Sequence, residues 1–501
     1  MKKNIFLSIL LIVSLASCKK FLQEAPQDQV TNANFYQSDK DAIAAIDGVY
    51  QAMRFEVGNG IPATFMLEQI SDDGCNSPLS SNVQERIDLD IINFNSFHSV
   101  ITTVWNGCYN VINRANNVIK FVSDTTKIKD SLVKRIQGEA KFLRAFYHFK
   151  LTQIYGDVPL MLQPADVQAG NLYPARTPVR VVYDSIISDL KYAEANLPNY
   201  FFYSSSNGGR ATAAAAKALL GKVYLTMAGY PLKDTRGYQL AADKLNEIIQ
   251  NKADYNTDLN PSYATIFTNN LANKQVDKER IFFTRGTSGL AASLAGFTRM
   301  GWSFRDFRYT TPSKDFATNA IASRRVYETG DLRRALVANT FDTSATSVRS
   351  SLVVKYVAGT DAGDDFIWLR YADVLMMYAE AIMEIGGSAN LDNALSIINS
   401  VRRAHGGTTI PLLTYTDQID LRTKLQQERR REFAFESQRW FDLKRWDILI
   451  PSIKSALVYH NNTNISIYSF MDNPDPERYK VLPIPFQEIV NNPNLVQNPG
   501  Y

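Results

Sequence analysis

The amino-acid sequence predicts an all-α fold built from paired helices, and three observations carry that expectation. Apolar residues recur at three- and four-residue intervals along most of the 501-residue chain. Glycine and proline close these stretches, as Gly58 and Gly60 do early and Gly156 and Pro159 do later. Small residues cluster where successive helices would press together: Leu220-Gly221 with Tyr224 precedes Ala241 and Ala242, and Leu375 with Ala379 precedes Ala394.

The chain opens with Lys2 and Lys3, an apolar run from Ile5 to Leu15, and small residues leading into Cys18. That is the layout of a secretory signal, too short to span a bilayer. Leu15-Ala16-Ser17-Cys18 resembles a bacterial lipobox, whose cysteine is acylated and becomes the mature N-terminus. Residues 1–17 are therefore expected to be a lipoprotein signal peptide and residues 18–34, polar and holding Pro26, a lipidated tether. Residues 35–501 are expected to form one helical domain, since an array of helix pairs can continue as a single unit.

Within that domain Ser38 reads as an N-cap with Asp41 three residues on, ahead of Ala42, Ile43, Ala45, Ile46, Val49, Tyr50 and Met53 on one helical face. Residues 68–97 lack steady periodicity and read as a long loop, and 251–311 as a second irregular insertion; loops of that length are usually functional. Helices are expected over Trp105–Phe121, Gly138–Tyr155, Val179–Asn196, Ala211–Met227, Gln239–Gln250, Trp368–Ile385, Leu391–Ala404, Leu421–Phe435 and Gln438–Ile448. Two of the hairpins have a tetratricopeptide flavour, although alanine would also be chosen by ordinary helix packing. After the signal the chain offers no transmembrane span.

Composition narrows the function classes. There are 54 basic and 50 acidic residues, and Lys2 and Lys3 belong to the leader, so no global field attracts nucleic acid or anionic lipid. Hydrophobic residues at 45% and aromatics at 11% suit a well-cored globular protein. With Cys18 lipidated, Cys75 and Cys108 are left as a disulfide or as two separate thiols.

Catalytic motifs are absent: no Gly-x-Ser-x-Gly elbow, no phosphate loop, no dinucleotide fingerprint and no His-Glu-x-x-His helix. No cofactor is expected. Asp72 with Asp73, and Asp361 with Asp364 and Asp365, offer oxygen ligands for calcium, but neither follows the twelve-residue loop, and solvated acidic turns explain them better. Glu428, Glu432 and Glu436 recur every four residues, so a continuing helix would align them as an acid and base for glycoside hydrolysis. Arg429, Arg430, Arg431 and Arg439 surround them, and guanidinium neighbours keep carboxylates ionised, the wrong state for a general acid. A structural lattice of ion pairs and aromatics over Glu428–Trp446 is the expectation.

An ordered series of short motifs resembles the SusD/RagB family of Bacteroidetes outer-membrane lipoproteins. It runs from Phe21-Leu22 and Pro26 through Asp41, Ala45, Gly48 and Tyr50 to Glu139-Ala140-Lys141-Phe142-Leu143-Arg144-Ala145 and Tyr155-Gly156-Asp157-Val158-Pro159-Leu160. It continues in Leu369-Arg370-Tyr371-Ala372-Asp373-Val374-Leu375, Tyr378-Ala379-Glu380-Ala381, Asn399 with Arg402, the Glu428–Glu432 run, Arg439–Trp446, Leu482-Pro483-Ile484-Pro485 and the closing Gln497–Tyr501. The resemblance implies a tetratricopeptide-like superhelix of helix pairs whose loop-rich insertions form the ligand face. It also implies a non-catalytic binder of glycans, or of peptides in some members, acting as the lid of a SusC-like TonB-dependent barrel in the outer membrane, lipid-anchored and surface-exposed. A tetratricopeptide-like scaffold for a protein or peptide partner, and a glycoside hydrolase, are the alternatives.

A glycan site wants aromatic faces for C–H surfaces and Asn, Asp and Arg for hydroxyls. On the two irregular segments Trp302, Arg305, Asp306 and Tyr309 form such a set, with Asp73, Asn76, Asn82 and Arg86 as a polar counterpart. Trp302 and Tyr309 would equally serve to pack their loop onto the helices.

Overall fold

A computed structural model describes residues 35–56, 63–75, 84–90, 92–124, 126–201, 208–267, 276–285, 303–304, 326–337, 355, 365–458 and 475–501. The leader, Cys18 and the tether lie outside them. Helix α1 (Asp39–Ala52) starts as its sequence requires: Ser38 is extended, and its Oγ accepts from Asp41 N at 3.3 Å and donates to Asp41 Oδ2 at 2.8 Å. Ala42, Ala45, Ile46 and Val49 are buried from this helix, while Ile43 faces outward.

The segment 68–97 is more ordered than its composition suggests. It begins in α2 (Ala63–Gln69), passes through the short strand β1 (Gly74–Cys75) and contains α3 (Gln84–Asp90). Both helices have seven residues, too few for an apolar period to declare itself. Residues 66–73 are buried, so the start of this stretch is interior structure.

Five long helices follow: α4 (Ser99–Phe121), α5 (Asp130–Tyr155), α6 (Val179–Asn196), α7 (Ala213–Ala228) and α8 (Arg236–Gln250). Each packs on the next, and α8 then packs on α9 (Tyr371–Ile385), itself paired with α10 (Ser388–Val401). This is the helix-pair array expected from the sequence. Helix α5 starts eight residues before Gly138, because Val133 and Ile136 extend its buried stripe. The α7–α8 contact shows why a glycine was needed: a Cβ on Gly221 would stand 2.6 Å from Leu245 Cδ2.

The array is completed by α11 (Gln418–Glu432), α12 (Arg439–Arg445), α13 (Leu449–Val458) and α14 (Phe486–Asn491). Two short antiparallel pairs cross the irregular region. Strand β2 (Arg280–Thr284) pairs with β4 (Phe366–Arg370), so the first residues of the expected Trp368–Ile385 helix are strand instead. Apolar Phe366-Ile367-Trp368-Leu369 fits a buried strand as readily as a buried helix, and the β2 partner decides it. Strand β1 pairs with β3 (Ser303–Phe304), matching Gly74 to Phe304 and Cys75 to Ser303. The two insertions therefore meet edge to edge. Cys108 is a buried free thiol, so it forms no disulfide with Cys75. Among the described residues no helix is long and apolar enough to cross a membrane.

Candidate ligand-binding site

The glutamate and arginine run builds a buried lattice, not a reactive cleft. Helix α11 ends at Glu432, and Phe435 and Ser437 then take positive φ of 60° and 55°, so Glu436 leaves the helix and does not share a face with Glu428 and Glu432. Its carboxylate still returns to the same centre. Arg370, at the end of β4, donates to Glu436 Oε2 at 2.9 Å, Glu279 Oε1 at 2.8 Å and Glu432 Oε1 at 2.7 Å, and its guanidinium lies 4.4 Å from the Phe433 ring. Arg333 joins Glu432 Oε2 at 2.9 Å to Asp331, and Arg402 and Arg431 donate to Glu428 Oε2 at 2.8 and 3.0 Å. A second branch runs from Arg429 to Asp442 and Asp373, and from Arg445 to Asp442 and Glu380.

These contacts fix the protonation states. Burial alone would raise Glu432, but His405, Arg370 and Arg333 hold it well below the usual carboxylate range. Glu428 is lowered likewise by Arg333, Arg431 and Arg402 against its burial. Neither is prepared as a general acid. Glu279, His405 and Glu432 bring donor atoms within 4.8 Å of one another, a spacing that suits a metal ion. Yet His405 Nδ1 lies 2.6 Å from Glu432 Oε1 and Nε2 3.2 Å from Glu279 Oε2. Although burial disfavours the cation, those two carboxylates push the imidazole up to about 10, so both nitrogens donate and neither has a lone pair for a metal.

The acidic pairs considered for calcium meet arginine too. Arg439 donates to both Asp72 oxygens at 2.8 Å, Arg430 to Asp73 Oδ1 at 2.5 Å, and Arg280 to Asp365 Oδ2 at 3.2 Å. Asp361 and Asp364 lie outside the described residues. Asp73 is fully buried, so its carboxylate faces the scaffold and ties β1 to α11. Arg86 belongs to α3, while Asn76, Asn82, Trp302, Arg305, Asp306 and Tyr309 lie outside the described residues. The β1–β3 pairing brings the chain next to Asn76 beside the chain next to Trp302 and Arg305.

A cleft of about 180 Å³ opens between α1, the 208–210 turn and the end of β2. Its walls are Asp47, Tyr50, Gln51, Met53, Arg54, Gly208, Gly209, Arg210, Phe283, Thr284 and Arg285. The turn is pressed onto the strand: Gly209 has φ +83°, and a Cβ there would stand 2.5 Å from Phe283 O. Arg210 donates to Glu139 Oε2 at 2.8 Å, pairs with Asp47 and lies 5.4 Å from the Tyr50 ring. Tyr50 Oη accepts from Ala211 N at 2.9 Å, and Trp368 Nε1 donates to Thr284 Oγ1 at 2.8 Å, which secures both flanks. A second hollow, between Phe146, Trp368 and Phe441, measures about 50 Å³ and is too small for a sugar ring.

Sequence reading missed this cleft because it followed the buried stripe of α1. The signal lay on the other side: Asp47, Gln51 and Arg54 recur at helical spacing just beyond the stripe. Arg210 and the 283–285 residues join them only through the fold.

Residues 307–501 match the family described as the SusD family, and residues 20–225 match one described as starch-binding and associating with the outer membrane. A SusD-like protein of Formosa agariphila, P2, is 28% identical over 550 aligned residues that span the whole of both chains. The crystal structure of a SusD homologue from Bacteroides thetaiotaomicron superposes with a TM-score of 0.74 at 22% identity, over 94% of this chain and 98% of that one. A laminarin-binding SusD-like protein superposes with a TM-score of 0.66 at 22% identity, over 93% and 100%.

Proposed function

The chain belongs to the SusD/RagB family, and from that premise we propose that it captures a glycan at the outer membrane and acts as the non-catalytic lid of a SusC-like TonB-dependent transporter. Cys18 anchors it through lipid, the 18–34 tether lets it pivot, and the array displays its insertions toward the ligand. One observation supports binding without turnover above others: the carboxylates of the Glu428–Glu436 run are spent on guanidinium partners inside the core. The aromatic and arginine-lined cleft, with room for about one sugar ring, suits recognition of a saccharide unit. The relative that binds laminarin favours a glycan over a peptide.

A purified-glycan screen by calorimetry, followed by product analysis of each binder after prolonged incubation, tests this reading. Saturable binding with intact oligosaccharide is the expected result. Shortened products would make the protein a hydrolase, and binding of peptides alone would make it a peptide scaffold. Extraction of native membranes in mild detergent is expected to copurify a large β-barrel protein.

A further inference from the structure

Glu68 near the end of α2 and Asp73 just before β1 close a buried turn, and neither side chain is exposed. Glu68 Oε2 and Asp73 Oδ2 have no hydrogen-bond partner among the described residues. The cations around them are engaged elsewhere: Arg430 of α11 is bonded to Asp73, Arg439 of α12 to Asp72, and Lys355 to Glu436. Glu68 itself accepts from the Ser437 N–H. The remaining charged residues of α12 turn to Arg429, Glu380 and Gln153, and Tyr327, near Asp73, donates to Arg431 O.

The other elements packed on α2 bring Glu68 no counter-charge. Glu56, in the turn after α1, is bonded to Lys150. On α3, Glu85 accepts from Ser99 and Asp88 from Gln84, while Arg114 and Lys120 lie on the exposed side of α4. A carboxylate buried without a bonded cation is costly, and one proton removes the cost. Burial first, then Asp73, push Glu68 up to about 8 against the Ser437 N–H and Lys355, and Arg430 favours the charge on Asp73.

We propose that a proton held on Glu68 beside Asp73 latches β1 to the scaffold, so that the β1–β3 pairing, which joins the two insertions, is a pH-operated catch. When β1 opens, water reaches Glu68, which then ionises as an ordinary glutamate does. Opening therefore releases one proton. The catch is fully shut below about pH 4.5, and its opening equilibrium rises up to about ten-fold per pH unit until about pH 8, where it levels off. Acid closes the join between the insertions and a more alkaline medium loosens it.

Hydrogen–deuterium exchange of the detergent-solubilised protein, followed by mass spectrometry between about pH 5.5 and pH 7.5 and corrected for the intrinsic pH dependence of exchange, tests this. In wild type, protection of the fragments holding residues 73–75, 303–304 and 437 is expected to fall about ten-fold per pH unit. Helix α8, which packs on α7 and α9, should keep its protection. Glu68→Gln and Glu68→Met have no proton to lose, and each should hold the β1 and β3 fragments at constant protection over that range; the second stands in should the first fail to fold. Protection in wild type that does not change with pH, or that falls equally in α8, overturns the proposal. So does a variant that keeps the wild-type slope.

Discussion

Glu68 and Asp73 lie side by side inside the fold, and each keeps one buried carboxylate oxygen with no hydrogen-bond partner among the described residues. The other Glu68 oxygen accepts from Ser437 N at 2.5 Å, and the other Asp73 oxygen from Arg430. Burial first, then Asp73 and Glu436, push Glu68 up to about 8, against the opposing pull of the Ser437 N–H and Lys355. A carboxyl whose folded pKa is raised holds its proton where the unfolded chain has lost it. It therefore costs nothing below about pH 4.5 and costs progressively more as pH climbs to about 8, by up to about 1.4 kcal/mol per pH unit. Glu68→Gln removes that dependence. The melting temperature of the variant relative to wild type should rise between pH 5 and pH 9, and a constant difference over that range would show Glu68 to be ionised in the fold.

Arg370 is 1% exposed, and its guanidinium holds Glu279, Glu432 and Glu436 together. Replacing it by Met leaves those carboxylates buried beside fewer cations, a loss of about 3–5 kcal/mol. Lys134 and Asp130 form a pair on the surface of α5, both more than half exposed, and Lys134→Ala should leave stability nearly unchanged. Urea unfolding of the two variants checks the contrast. Similar small losses in both would mean that the lattice serves the geometry of β4 and α11 without stabilising them.

The helix-pair array was legible because it is local: apolar stripes at helical spacing located α4 to α8 and α9 to α12, the largest miss being the eight residues at the start of α5. The arginine-rich run was legible as a lattice because alternating signs that close together neutralise one another wherever they fold. What escaped was non-local. Trp368 is strand because β2 lies beside it, and the cleft exists because Gly209 lets one turn reach Phe283, seventy-odd residues onward in the chain. Asp73 looked like a loop residue among polar neighbours, yet its partner Arg430 stands 357 residues away, a distance no local pattern spans.

The pairing of β1 with β3 joins the insertion leading to Asn76 and Asn82 with the one holding Trp302, Arg305, Asp306 and Tyr309. If Trp302 offers its ring to a sugar, Trp302→Ala should weaken glycan binding by roughly 1 kcal/mol or more, about five-fold, while the melting temperature stays within a degree. Calorimetry and a thermal melt on the same preparation separate the two roles. Intact affinity with a lowered melting temperature would assign Trp302 to packing the loop.

The proposed function makes Cys18 the membrane anchor, and among the described residues no helix is long and apolar enough to cross a membrane. Each acyl methylene buried adds about 0.8 kcal/mol, so several chains on one cysteine anchor firmly where one chain would not. Were the segment 18–34 a tether as proposed, its seventeen residues at roughly 3.4 Å each would set an upper limit of about 60 Å on its reach. Under the proposed lid function, such a tether would also raise the local concentration of bound ligand above the transporter. Cys18→Ala should therefore lose incorporation of a clickable fatty acid and shift from the membrane to the soluble fraction. The purified variant should bind its glycan as wild type does, since Cys18 is not among the residues that line the cleft. Uptake of that glycan by cells at limiting concentration should nevertheless fall to the level of a deletion strain. Retained label in the alanine variant would require another anchor, and undiminished uptake by an unanchored protein would remove the tether from the mechanism.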